Sequence, residues 1–371
     1  RNDRLFFAGE GGSLIGTWLT RFAIGYETYE LSHSAFELGL VAFFSQAPTA
    51  PIVPFAGVLA DRWNKHRVLV LTQVCAALQS AALAVLTISG RMTIPYLIGL
   101  SAVQGLINAF DMPVRQSLLV EMIEDRRDLP NAIALNSSMV NFARLVGPSL
   151  AGILIASIGE GGCFAIDAVS YLAVIATLLM MSFKPKTHER AAQKHLLLEL
   201  KDGFIYAGRS PAILSVLALL ALVSFMGVPY MTLLPMIVTE RLAGDARVLG
   251  YLTAASGLGA LTGVLFLASR RSVLGLGRII FASVLVFGTG LFLFGLSHSI
   301  WISMGMTLIA GMGMMVQMAA TNTVLQSIVE ENKRGRVMSL FLMAVTGTAP
   351  FGSLFGGFMA DRIGAAMTLE I

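Results

Sequence analysis

Eleven apolar runs, each roughly 18 to 28 residues long, set the terms on which this chain can fold. They fall near 5–31, 36–60, 67–89, 93–119, 130–158, 161–183, 211–238, 247–268, 275–297, 300–328 and 336–360. At about 1.5 Å of rise per residue, a helix of that length crosses a hydrocarbon core of about 30 Å. The expected class is therefore an all-α integral membrane protein. Composition agrees, because 56% of residues are hydrophobic and only 13% charged, outside the range of soluble domains. Residues 365–371 read as the opening of a twelfth helix, and a chain continuing past Ile371 is expected from the odd count that would otherwise remain.

Lysine and arginine fix the orientation. One side collects Arg1, Arg4, Arg62, Lys65, Arg67, Arg126, Arg127, the basic residues of 184–210, Arg270, Arg271, Arg278, Lys333, Arg334 and Arg336. The other holds only Arg91, Arg241, Arg247 and Arg362. The N-terminus is expected on the cytoplasmic side. The longest connection, 184–210, mixes charges with Leu196, Leu197, Leu198, Leu200, Phe204 and Ile205, as an amphipathic helix on the membrane surface would. It divides the chain into an N-terminal bundle (1–183), a cytoplasmic linker (184–210) and a C-terminal bundle (211–371).

Several function classes fall away. The formal charge of +4 is spread between apolar spans as topology signals, with no basic face for nucleic acid. Cys75 and Cys163 lie inside apolar runs without metal-ligand spacing, so neither a disulfide framework nor a metal site is expected. No P-loop, H-E-x-x-H or G-x-S-x-G is present, and His33, His66, His188, His195 and His298 all sit in or beside loops. No enzyme activity and no cofactor are expected, and without an ATP site the driving energy must come from a gradient.

The two halves carry traces of duplication. Gly147, Gly152 and Gly159 recur at identical spacing as Gly352, Gly357 and Gly364, with Pro148 and Pro350 nearby. Small residues let helix backbones approach where lipid supplies no hydrophobic drive. Between the second and third runs, Gly57, Asp61, Arg62, Lys65 and Arg67 form a short loop that resembles the signature loop of the major facilitator superfamily. Further stretches around Ser13, Gly16, Thr17 and Trp18, around Asp111, Pro113, Arg115 and Gln116, around Asn131 and Asn136, and around Arg144, Gly147 and Pro148 resemble its drug and siderophore exporter branch. That branch includes the enterobactin exporter and macrolide efflux pumps, and the similarity spans essentially the whole chain. The resemblance implies two pseudo-symmetric six-helix bundles, a multi-pass, monomeric protein of the bacterial inner membrane, alternating access, and a small amphipathic cargo.

By helix order, Asp61 is expected to face backbone amides at the start of the eleventh span, where an acid would latch the halves on the cytoplasmic side. Gly57, Asp61, Arg62 and Arg67 are the candidate latch. Arg62, Lys65 and Arg67 also read as topology anchors and lipid-headgroup contacts, the preferred reading for Lys65 and Arg67.

Charges inside a bilayer are costly enough to need a reason, and they concentrate in the first half: Arg21, Glu27, Asp111, Arg115, Arg144 and Asp167. Asp111 and Arg115 are four apart and able to pair. Arg144 reads either as a transport residue or as a buried partner for a carboxylate such as Asp111. In the branch that the chain resembles, the positions of Arg21, Glu27 and Asp167 are more often uncharged, with asparagine common in place of Asp167. Here a carboxylate in the outer half could exchange a proton, the coupling that an antiporter needs. The alternatives are an exposed helix end for Glu27, a hydrogen-bonded acid for Asp167 and a paired or snorkelling Arg21.

By analogy with the superfamily, the first, fourth, seventh and tenth helices line a central cavity. Trp18, Phe225, Met226, Tyr230, Met314, Gln317 and Met318 are its candidate lining, and methionine suits cargo of variable outline. A methionine stripe is also ordinary core packing. The expected function is export of a small amphipathic, drug-like or siderophore-like molecule against proton entry, with membrane lipids as the other partner. A facilitator, a lipid transporter, or a non-transporting sensor or scaffold on the same fold are the alternatives.

Overall fold

The computed structural model describes residues 2–49, 51–52, 64–123, 129–181, 196–227, 229–270, 272–331 and 333–370. Its helices, in chain order, are α1 (Asn2–Ser32), α2 (Ala35–Gln46), α3 (Lys65–Ile88), α4 (Ile94–Met122), α5 (Leu129–Met180), α6 (Leu196–Arg209), α7 (Pro211–Gly227), α8 (Pro229–Glu240), α9 (Ala246–Ala268), α10 (Leu276–Leu296), α11 (Ile300–Ile328), α12 (Arg334–Leu342), α13 (Ala349–Ile363) and α14 (Ala365–Glu370). Among the described residues, eight helical stretches are long and apolar enough to cross a membrane.

Local chemistry sets the helix ends. Asn64 caps α3, its side chain accepting from the Arg67 amide at 3.1 Å, while α4 opens with proline in its first turn, where no amide is needed. In α5 the fifth and sixth spans run on as one element with a break at Gly159, whose φ of 74° a side chain would oppose. Gly364 ends α13 in the same way, at φ 86°. The repeated glycine spacing thus marks repeated backbone conformations. Prolines mark the second half. Pro229 has no amide to offer the Phe225 carbonyl four residues earlier, within a helical stretch that runs over Pro211–Glu240. Pro350 opposes the turn before it, and the helix widens to a π turn over Met343–Gly347 between α12 and α13.

The chain forms two compact units. The first comprises Arg1–His33, Phe44–Ala191 and Asp245–Gly250; the second comprises Ser34–Phe43, Ala192–Gly244 and Tyr251–Ile371. In the first, α5 packs on α1 and α3, and α4 packs on α3 and α1. Leu69, Val114, Leu118, Val174 and Leu178 form one apolar cluster, and Ala76, Ala77, Ile107 and Tyr171 form another. Leu71, Leu78 and Val85, seven residues apart on α3, are exposed together, as a lipid-facing stripe should be. In the second unit α10 and α11 pair closely. The linker helix α6 lies on α12, with Ala207 among Val337 and Leu340 and with Asp202 3.2 Å from Arg336. Phe204 and Ile205 stay exposed.

Among the close helix crossings built from small residues, one in each unit has a counterpart in the other. In the first, a side chain added at Gly152 would sit 2.5 Å from the Ala246 carbonyl and 2.7 Å from the Gly250 Cα. In the second, one added at Gly357 would sit 2.5 Å from the Ala35 carbonyl and 3.0 Å from the Gly39 Cα. The two arrangements match partner for partner.

Candidate intramembrane polar site

A polar ladder runs inside the first unit. On α3, Gln73, Ser80 and Thr87 recur every seven residues, which places them on one face at levels about 10 Å apart. Each meets a carboxylate. On α1, Glu10, Ser13, Thr17, Thr20 and Glu27 keep the three-and-four spacing of a single helix face, here a polar one turned inward.

At the first level, Arg115 on α4 is clamped between two acids. Its Nε donates to Asp111 Oδ2 at 2.8 Å, Nη2 approaches the same carboxylate at 2.7 Å, and Nη1 donates to Glu10 Oε1. The other oxygen of Asp111 accepts from Thr72 Oγ1 at 2.8 Å and from Gln73 Nε2 at 2.7 Å. Glu10 was not anticipated, although the spacing of polar residues along α1 carried the signal.

At the middle level, Asp167 is 1% exposed. Its Oδ2 accepts from Thr20 Oγ1 at 2.7 Å and from Ser80 Oγ at 2.8 Å, and Ser170 Oγ lies 3.5 Å from Oδ1. Gly16 lets α1 come this near, since a Cβ there would fall 2.5 Å from Oδ1. Thr17 and Tyr171 join their hydroxyls beside it at 3.3 Å. At the last level, Glu27 is buried and accepts from Thr87 Oγ1 at 2.8 and 3.0 Å.

The other candidates divide. Gly57, Asp61 and Arg62 lie outside the described residues, and so does the side chain of Arg144, although its backbone belongs to α5. Arg67 is exposed. The exposed Arg21 places its guanidinium 5.5 Å from the centre of the half-buried Trp18 ring. Phe225, Met314 and Met318 are half-buried, and Met226 is exposed. Tyr230 and Gln317 are buried in helix packing. The Tyr230 hydroxyl bonds Ser256 at 2.8 Å with its ring edge-on to Phe287, and Gln317 turns back to Thr321 on its own helix. Among the described residues, no group of three or more His, Cys, Asp and Glu could hold a metal ion.

Membrane-crossing helices on a duplicated frame, with acids buried among them, are those of a membrane transporter of the major facilitator superfamily. Solved structures agree on the fold. A nucleoside transporter matches with a TM-score of 0.76 at 14% identity, covering 100% of this chain and 95% of that one. A bacterial homologue of the lysosomal transporter Spinster matches with a TM-score of 0.71 at 17% identity, covering 97% of this chain and 83% of that one. Within the superfamily, the chain belongs to the transmembrane secretion effector family, whose profile matches residues 4–371. The staphyloferrin A transporter of Staphylococcus aureus is 26% identical over 99% of this chain and 92% of its own length. Macrolide efflux protein A of Streptococcus pyogenes is 22% identical over 96% and 89%, and the enterobactin exporter of Escherichia coli is 25% identical over 98% and 86%.

Proposed function

We propose that this chain exports a small amphipathic molecule of the siderophore or drug type by alternating access, driven by proton entry. The cargo class follows the relatives, which are named for siderophores and macrolides. One observation supports the proton: Glu27 is a buried carboxylate whose bonds among the described residues come from the Thr87 hydroxyl, with Glu160 of the same sign within electrostatic range. A carboxylate without a fixed cation in a low-dielectric bundle gains from taking up a proton and can give it back when its surroundings open to water. Asp111 is less suited, because Arg115 already neutralises it.

The same reading places the N-terminus in the cytoplasm of a bacterium, with the protein in the inner membrane as a monomer. Asp61, with Gly57, Arg62 and Arg67, serves as the cytoplasmic latch, and Phe225, Met226, Met314 and Met318 meet cargo. The test is cargo and proton flux in proteoliposomes of the full-length protein under an imposed pH gradient, against a panel of siderophores and lipophilic drugs. Gradient-driven accumulation should vanish in Glu27→Gln. Flux indifferent to pH in wild type and variant alike would refute proton coupling.

A further inference from the structure

The first and middle levels of the ladder solve the same problem differently. Both bury a carboxylate between helices of one bundle, where an uncompensated charge is expensive. At the first level the counter-charge is built in, as Arg115 bridges Asp111 and Glu10. Around Asp167 the described neighbours supply oxygen and no cation: Thr20 and Thr17 from α1, Ser80 from α3, and Ser170 and Tyr171 from the second arm of α5. A site meant only to be protonated needs an apolar wall and one acceptor. Hydroxyls that donate to the carboxylate favour its charged form while leaving that charge unneutralised.

We propose that Asp167, with the hydroxyls of Thr20, Ser80 and Ser170, is a binding site for a sodium ion. A carboxylate with several neutral oxygens is the donor set of a hard cation. Each hydroxyl keeps two lone pairs and turns about its Cβ–O bond, so those that now donate to Asp167 can swing their protons away and become ligands. Ser170 is already so disposed, since it donates to its own helix at the Asp167 carbonyl at 2.7 Å and keeps its lone pairs free. Occupancy would tie α1, α3 and α5 together at mid-bundle. The site stands apart from proton exchange at Glu27 and does not depend on the identity of the cargo.

The test is made on the purified full-length protein in detergent, without cargo, so that it reads binding and not transport. Thermal unfolding midpoints and equilibrium binding of radioactive sodium are measured in sodium, potassium and choline chloride at equal ionic strength. Sodium should raise the midpoint saturably over choline, potassium should not, and bound radioactivity should reach about one ion per chain. Asp167→Asn should abolish both signals. Ser80→Ala, which keeps the carboxylate, should weaken apparent affinity about tenfold or more, and it carries the test should Asp167→Asn fail to fold. Equal midpoints in sodium and choline, or sodium binding that survives loss of Asp167 or is unchanged by loss of the Ser80 hydroxyl, would overturn the site. Loss of proton-driven export with sodium binding intact would overturn only the proton reading.

Discussion

Removing Arg115 should damage the protein more than removing either acid that it holds, and removing all three charges together should restore most of the loss. Arg115→Met strands Glu10, whose side chain is 3% exposed and whose bond at this level comes from Arg115. Asp111 would keep the Thr72 and Gln73 donors, each worth about 1 kcal/mol. Breaking a buried pair costs about 3–5 kcal/mol, and here the upper part applies because two carboxylates lose one cation. Glu10→Gln should cost less, about 1–3 kcal/mol, since Arg115 retains Asp111 and an amide oxygen still accepts from Nη1. The triple variant Glu10→Gln, Asp111→Asn, Arg115→Met removes charge and counter-charge together, and such replacements are often close to neutral. Thermal unfolding in detergent reads the series, with Arg115→Met lowered by roughly 10 °C at ~2–4 °C per kcal/mol for a unit of this size. A triple variant no more stable than Arg115→Met, or an Arg115→Met protein as stable as wild type, would show that the clamp is not where the stability resides.

Backbone and crossing positions give sharper tests still. Gly159→Ala and Gly364→Ala should each cost about 1–3 kcal/mol, because φ values of 74° and 86° oppose any Cβ, and a loss confined to one of them in unfolding midpoints would deny their equivalence. Gly152→Leu and Gly357→Leu should impair folding or transport alike, since both meet a carbonyl 2.5 Å from the added carbon; cell-surface yield and flux would report it. Asp202→Asn should pass almost unnoticed in the same melts, below about 1 kcal/mol, as its side chain is 54% exposed beside Arg336.

The sequence was most legible where one physical rule acted alone. Hydrophobic length located several spans within a few residues: 67–89 became Lys65–Ile88, 300–328 became Ile300–Ile328, and the division expected between 158 and 161 fell at Gly159. The Asp111–Arg115 pair is present because four residues make one helix turn. What escaped were interactions between helices. Nothing in spacing says which acid Arg115 prefers, and Glu10 was passed over because it stood near the start of an apolar run with no partner in sequence. The burial of Tyr230 and Gln317 was not legible either: a hydroxyl or an amide in a lipid-embedded bundle gains from bonding inward, here to Ser256 and Thr321. The π turn at Met343–Gly347 could have been foreseen, since it lies in the turn before Pro350, which lacks an amide.

Pro229 also explains a contact that would otherwise look accidental. Its missing amide leaves the Phe225 carbonyl without the usual helical partner, in a protein whose surroundings offer no water to replace it. Gly352 on α13 comes up against that same carbonyl, so closely that any side chain would collide with it. A glycine brings its Cα–H to an oxygen that needs a donor, a weak bond worth about 0.5–1 kcal/mol but better than none. Gly147, its counterpart by spacing, faces the Cβ of Trp18 at 2.5 Å from where its own would be, a packing contact and no carbonyl. The duplicated frame therefore kept its small residues while their duties diverged: Gly147 admits a side chain beside a charged ladder, and Gly352 meets a carbonyl that proline leaves without its amide.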